Sequence, residues 1–119
     1  LKLNENLRLN PLYQFHQSRL GISYSILLGE STQMLSQDIT IWDEEKKFVE
    51  LRNGKYYYFI GNFKDFHSAL NFIKSQSLKK GTIIQAFYDG EYLDATTIIN
   101  YVNDTPDLIL LMDYNKSLH

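Results

Sequence analysis

The feature that most restricts the fold of this chain is the dipeptide Asn53-Gly54, set between two strand-like runs, Phe48 to Arg52 and Lys55 to Ile60. Both residues tolerate positive φ, which a two-residue type I′ turn demands, so the runs are predicted to fold back as a β-hairpin. Alternation in the second run assigns Tyr56 and Tyr58 to the core side and Tyr57 and Phe59 to the other.

The flanking segments fall into the same style of reading. Ile22 to Leu28 alternates as a strand, with Tyr24, Ile26 and Leu28 on the core face and Ser23, Ser25 and Leu27 opposite. Gly29 is predicted to end it, and Glu30 to Ile39 to form a short helix with Met34, Leu35 and Ile39 inward. After the hairpin, Asp65 is placed to cap a helix in which Phe66, Ala69, Leu70, Ile73 and Ser77 recur at helical spacing. Lys79-Lys80-Gly81 suits its end, with cations near the carbonyl terminus and glycine as the cap. Thr82 to Tyr88 is the next strand, Asp89-Gly90 a tight turn, and Glu91 to Leu93 a brief return. Asp94 is then expected to cap a last helix bearing Ala95, Ile98, Ile99 and Val102, stopped by Thr105-Pro106. Leu108 to Tyr114 is compatible with strand, helix or exit linker.

This order predicts an α+β fold: a βαββαβ ferredoxin- or RNP-like sandwich with a four-stranded antiparallel sheet, helices on one face, and a C-terminal helical extension. Residues 21–93 form the expected domain, 1–20 an N-terminal arm or linker broken at Asn10-Pro11, and 94–119 a C-terminal helix and tail packed on the domain or leaving it. The sheet face away from the helices is expected to be open to an extended ligand.

At 119 residues the chain suits one domain, and its nine Tyr and seven Phe supply both core and sticky surface. Twelve basic against 14 acidic residues give no basic surplus, so neither nucleic acid nor anionic lipid is an expected partner. Cysteine is absent, which removes disulfides and thiol chemistry. The longest apolar run, Leu108 to Met112, is too short to insert into a membrane. The chain begins at Leu1 and is read as a piece of a longer protein, which leaves an upstream export signal open. His16, His67 and His119 are scattered without ligand spacing, and Asp43-Glu44-Glu45-Lys46-Lys47 reads as a solvated charge run. No nucleophile elbow or phosphate-cradling glycine loop occurs. The expectation is a non-enzymatic domain with no cofactor and no metal.

Two segments share a signature: Tyr24-Ser-Ile-Leu-Leu-Gly29 and Tyr56-Tyr-Tyr-Phe-Ile-Gly61 each run from an aromatic through four residues to a strand-terminal glycine. Asn62-Phe63 follows the second, with Ser68-Ala69 in the helix after it. This pattern resembles the sporulation-related repeat (SPOR) domain over roughly Gly21 to Leu93. Asn53 to Tyr92, including Ile84-Gln-Ala-Phe-Tyr-Asp-Gly90, is similar to the variant at the ends of Bacteroidetes envelope proteins. The resemblance implies a periplasmic or cell-envelope module without catalysis that binds peptidoglycan glycan strands across the open sheet face. It assigns ligand binding to Ser25, Leu27, Glu30, Tyr57, Phe59 and Gln85. Leu27 stands where the family often has Gln, Glu30 where it has a small polar residue, Tyr57 where it has Arg, and Asn62 where it has Pro. Apolar and aromatic groups thus replace two hydrogen-bonding positions. That change motivates an alternative, a protein-interaction domain on the same fold within an envelope secretion, motility or division assembly. An aromatic third strand is also found in RNA-recognition modules, but Lys55 to Gly61 does not reproduce their motif.

Overall fold

A computed structural model of the chain describes residues 19–32, 47–76 and 82–118. Two turns set the strand pairing. Asn53 (φ 49°) and Gly54 (φ 79°) join β2 (Phe48–Arg52) to β3 (Lys55–Phe63) as expected, and Asp89 (φ 49°) and Gly90 (φ 84°) join β4 (Ile84–Tyr88) to β5 (Glu91–Tyr92) in the same way. Together with β1 (Ile22–Ser31) these strands form a five-stranded sheet in the order β2-β3-β1-β4-β5, every neighbouring pair antiparallel. The fold is α+β. The sheet has one strand more than expected, because Glu91 and Tyr92 pair with Tyr88 and Phe87.

β1 does not stop at Gly29. It continues to Ser31, so Glu30 lies in the strand rather than in a helix. Residues 33–39, which carry the rest of that expected helix, lie outside the described residues, as do residues 1–18, Ser77 and Lys79-Lys80-Gly81. The register of β1 against β3 slips twice, between Tyr24 and Ile26 and between Leu27 and Gly29. At the first slip Gly61 adopts φ +85°, and a Cβ there would lie 2.3 Å from the Phe63 ring. Only glycine fits. The second slip turns Leu28 out of the core, leaving it 48% exposed instead of aligned with Tyr24 and Ile26.

Helix α1 (Phe66–Ser75) begins as its sequence requires: Asp65 Oδ1 accepts the Ser68 N–H at 2.7 Å, and Phe66, Ala69 and Ile73 are buried. The C-terminal region departs from expectation. Asp94 caps only a turn, accepting the Thr96 and Thr97 N–H groups at 2.9 Å each, and a single 3-10 turn follows at Ile98–Tyr101. Successive β-branched residues disfavour a longer helix here. Pro106 does not end a helix but precedes one, α2 (Asp107–Ser117), because its fixed φ suits a helix start. Asp107 Oδ2 accepts the Phe66 N–H at 2.9 Å and so ties the beginning of α2 to that of α1.

Both helices pack on one face of the sheet. Tyr24, Ile26, Ile60, Ile84 and Ala86 meet Phe66, Ala69, Ile73, Leu108 and Leu111 there, with Leu93 and Ile98 completing the core. Each large apolar side chain buried in this way contributes about 1.5–3 kcal/mol. Leu108 and Leu111 make α2 a structural part of the same core. At the sheet margins, the Gly21 N–H donates to Asp89 Oδ1 at 2.6 Å while the Asp89 N–H donates to the Gly21 carbonyl at 3.0 Å. At the other end of β4 the Tyr114 hydroxyl donates to the Thr82 carbonyl at 2.6 Å.

The second face holds its own cluster of Phe48, Phe59 and Phe87, flanked by Leu27 and Tyr57. Phe48 and Phe87 lie on strands separated by two others, about 14 Å apart in a flat sheet, yet their ring centroids are 6.3 Å apart, edge to face. The sheet curls around these rings, consistent with the extra twist that bulges introduce. The face expected to be open is a filled concavity.

Candidate functional site

Alternation along β2 sends Phe48, Glu50 and Arg52 into the concavity, opposite Phe59, Tyr57 and Lys55 of β3 respectively. Phe48 stacks on Phe59 with centroids 5.1 Å apart, and Phe59 meets Phe87 edge to face at 5.4 Å. Two guanidinium groups cover these rings. Arg19 sits 4.5 Å from the Phe48 centroid and 4.6 Å from that of Phe87. Burial lowers its pKa from the usual arginine range, opposed by Glu50 and reinforced by the like charge of Arg52.

Arg52 lies nearer the mouth. Its guanidinium carbon is 3.9 Å from the Tyr92 centroid, 4.8 Å from Tyr57 and 5.3 Å from Phe59. Its Nε donates to Glu50 Oε1 at 2.6 Å, a charge-assisted bond that fixes the side chain. Nη2 is buried and has no hydrogen-bond partner among the described residues. The mouth therefore combines a carboxylate, a guanidinium and two tyrosine rings. Such a set can hydrogen-bond hydroxyl or carboxylate oxygens and pack against the C–H face of a ring.

The strand register puts all six residues expected to bind ligand on this face. Leu27 and Tyr57 are half-buried beside the aromatic cluster, whereas Phe59 is fully buried within it. Phe59 therefore does not look outward as expected, because the curl closes Phe48 and Phe87 around it. Ser25 is also fully buried, its hydroxyl donating to the Gly61 carbonyl at 2.9 Å, so it fastens β1 to the bulge. Gln85 pairs across from Ser25, and its Oε1 is buried without a partner among the described residues. Glu30 is exposed opposite Tyr57, 3.5 Å from Lys55 Nζ. Tyr56 and Tyr58, assigned to the core by parity, are half-buried and stand outside the helix-side cluster of the described residues. His67 is exposed in the first turn of α1.

Arg19, Glu50, Arg52 and Tyr92 were not among the expected site residues. The signal for two of them is the alternation Phe48-x-Glu50-x-Arg52, which places both charges on the aromatic side of the hairpin. A separate cleft of about 270 Å³ opens where β5 ends, between β4 and α2. Among the described residues, no group of three or more His, Asp or Glu is arranged to hold a metal, and no helix is long and apolar enough to cross a membrane. No model of a known family matches the chain, and no curated protein or solved structure matches it either.

Proposed function

We propose that the chain is a non-catalytic module of the bacterial cell envelope that binds glycan strands of peptidoglycan, on a βαββαβ ferredoxin-like scaffold of the SPOR kind. The strand order β2-β3-β1-β4 is the one that two such βαβ halves produce, and β5 extends it.

The observation that carries the reading is Arg52, paired with Glu50 and lying over Tyr57 and Tyr92 at the mouth. A glycan strand offers hydroxyls, ring C–H faces and, once its peptides are removed, a free carboxylate on each lactyl ether. A guanidinium on aromatic rings can satisfy all three. The test is retention of the chain on purified sacculi before and after amidase treatment, with Arg52→Gln beside the parent. Greater retention on stripped sacculi, lost in Arg52→Gln, is the expected result. Retention no greater than that of an inert control protein overturns the proposal.

One observation favours a second reading, protein docking. Ile109 and Leu110 are adjacent and exposed on α2, and Ile99 is 62% exposed on the preceding 3-10 turn. Apolar groups of this size on a surface are characteristic of protein contacts. An Ile109→Glu, Leu110→Glu double variant that loses an envelope partner while keeping its hold on sacculi would place that function on the helix side.

A further inference from the structure

The turn that fixes the β2–β3 register is also a reactive pair. Asn53 and Gly54 are both exposed, and no atom lies within 4 Å of the place a Cβ would take on Gly54. A two-residue turn exchanges its bonds between the flanking residues, here Arg52 and Lys55, so the Gly54 N–H stands outside the ladder. That nitrogen, shielded by neither a side chain nor a ladder bond, can attack the Asn53 side-chain carbonyl once the last rung opens. The rung is at the tip of a hairpin that includes the outermost strand β2, where local opening is least costly. The other described asparagines, Asn62, Asn71, Asn100, Asn103 and Asn115, all precede residues whose side chains hinder the same approach.

The chemistry needs water alone. The Gly54 nitrogen bonds to the Asn53 side-chain carbonyl carbon and gives its proton to solvent, and the side-chain nitrogen departs as ammonia, leaving a succinimide ring. Water then breaks the ring at one of its two carbonyls. Opening at the side-chain carbonyl restores the peptide link with an aspartyl residue. Opening at the backbone carbonyl routes the chain through the side chain as isoaspartyl, with one more carbon in the backbone.

The fold contains the comparison that separates these products. Asp89 and Gly90, in the β4–β5 turn, have φ of 49° and 84°, against 49° and 79° for Asn53 and Gly54. An aspartyl residue therefore fits such a turn. An isoaspartyl residue does not, because its added carbon makes the loop longer than two residues and shorter than three, so the strands beyond it cannot keep register. Arg52 immediately precedes the turn, and its contacts with Tyr92 at 3.9 Å and Tyr57 at 4.8 Å depend on that register. Asp89 itself is held against the corresponding rearrangement, since its Oδ1 accepts the Gly21 N–H at 2.6 Å and its own N–H donates to the Gly21 carbonyl at 3.0 Å.

We propose that Asn53 is a site of spontaneous deamidation, at which the aspartyl product leaves the Arg52 mouth intact and the isoaspartyl product dismantles it. This inference does not rest on the glycan reading, since either can hold without the other.

The experiment ages the 119-residue chain in mildly alkaline buffer, locates the products by peptide mapping and isoaspartyl methyltransferase labelling, and separates them by chromatography. Deamidation should be at least tenfold faster at Asn53 than at any other described asparagine. In NMR spectra the Arg52 Nε–H signal, set by its bond to Glu50 and by the rings around it, should persist in the aspartyl fraction and be lost from the isoaspartyl fraction. Asn53→Asp, made directly, should keep both this signal and the Tm of the parent. Deamidation no faster at Asn53 than elsewhere, loss of the Arg52 signal in Asn53→Asp, or its survival in the isoaspartyl fraction would each overturn the proposal. None of these outcomes bears on retention by sacculi, which is read separately.

Discussion

The guanidinium of Arg52 rests 3.9 Å from the ring centroid of Tyr92, although β2 and β5, which carry these residues, are the two outermost strands of the sheet. Only a sheet that curls on itself lets its margins touch in this way. The contact converts the face away from the helices from a platform into a mouth, with Phe48, Phe59 and Phe87 sealed beneath it. What remains accessible at that face is its rim, at Arg52, Glu50, Tyr57 and Tyr92.

The buried and rim aromatics should separate in denaturant unfolding. Phe59→Ala removes a fully buried ring held between Phe48 and Phe87 and is expected to cost about 3–5 kcal/mol. Tyr57→Ala, at a half-buried position, should cost less than half as much. Equal losses at the two positions would contradict the division between sealed cluster and rim.

The two glycines of the repeated signature, each two residues short of its strand's end, should behave differently. Gly61→Ala forces a side chain into a left-handed conformation at φ +85° and against the Phe63 ring. The backbone contribution alone is about 1–2 kcal/mol, with the steric clash added. Gly29→Ala meets no atom within 4 Å and should fall within about 0.5 kcal/mol of the parent. Urea midpoints of the two variants make the comparison.

Asp94 should contribute to acid sensitivity. Hydrogen bonds from the Thr96 and Thr97 side chains and backbone hold its pKa down to about 2, below the roughly 3.9 of an unfolded chain. Its stabilisation is therefore present above about pH 4 and is lost as pH falls toward the folded value. Asp94→Asn should be less stable than the parent near pH 6, with the difference in Tm shrinking between pH 4 and pH 2. A Tm difference independent of pH would exclude this origin.

Removing core contacts from the C-terminal helix should destabilise the whole domain. Leu111→Ala is expected to cost about 2–5 kcal/mol, because Leu111 is buried in the same cluster as Tyr24 and Ile84. A single cooperative transition at lower denaturant would agree, and an unchanged midpoint would not.

Local chemistry was legible in the sequence, and curvature was not. Asn53-Gly54, Asp89-Gly90 and the Asp65 cap depend on a few consecutive residues, and each forms as its residue types demand. The parity of Tyr24 and Ile26 was readable for the same reason, but it failed at Leu28, where a register slip invisible to alternation intervenes. Pro106 was misread because proline both stops one helix and starts another, and Leu108 to Met112 is apolar without a period that would reveal α2. The six expected ligand residues do share one face. That the face closes depends on Phe48 reaching Phe87 across two intervening strands, a long-range fact that no local pattern encodes. The arginines escaped notice because charged residues are ordinarily assigned to solvent.

The two clamps at opposite ends of β4 set how the domain would respond to mechanical load. Gly21, where β1 starts, is bound to the β4–β5 turn, while the end of α2 is bound near Thr82, where β4 starts. A pull between residues 21 and 117 is therefore directed lengthwise along the antiparallel β1–β4 pair. Its cross-strand bonds must shear together rather than unzip in succession, which a single-molecule extension trace would record as one high force peak.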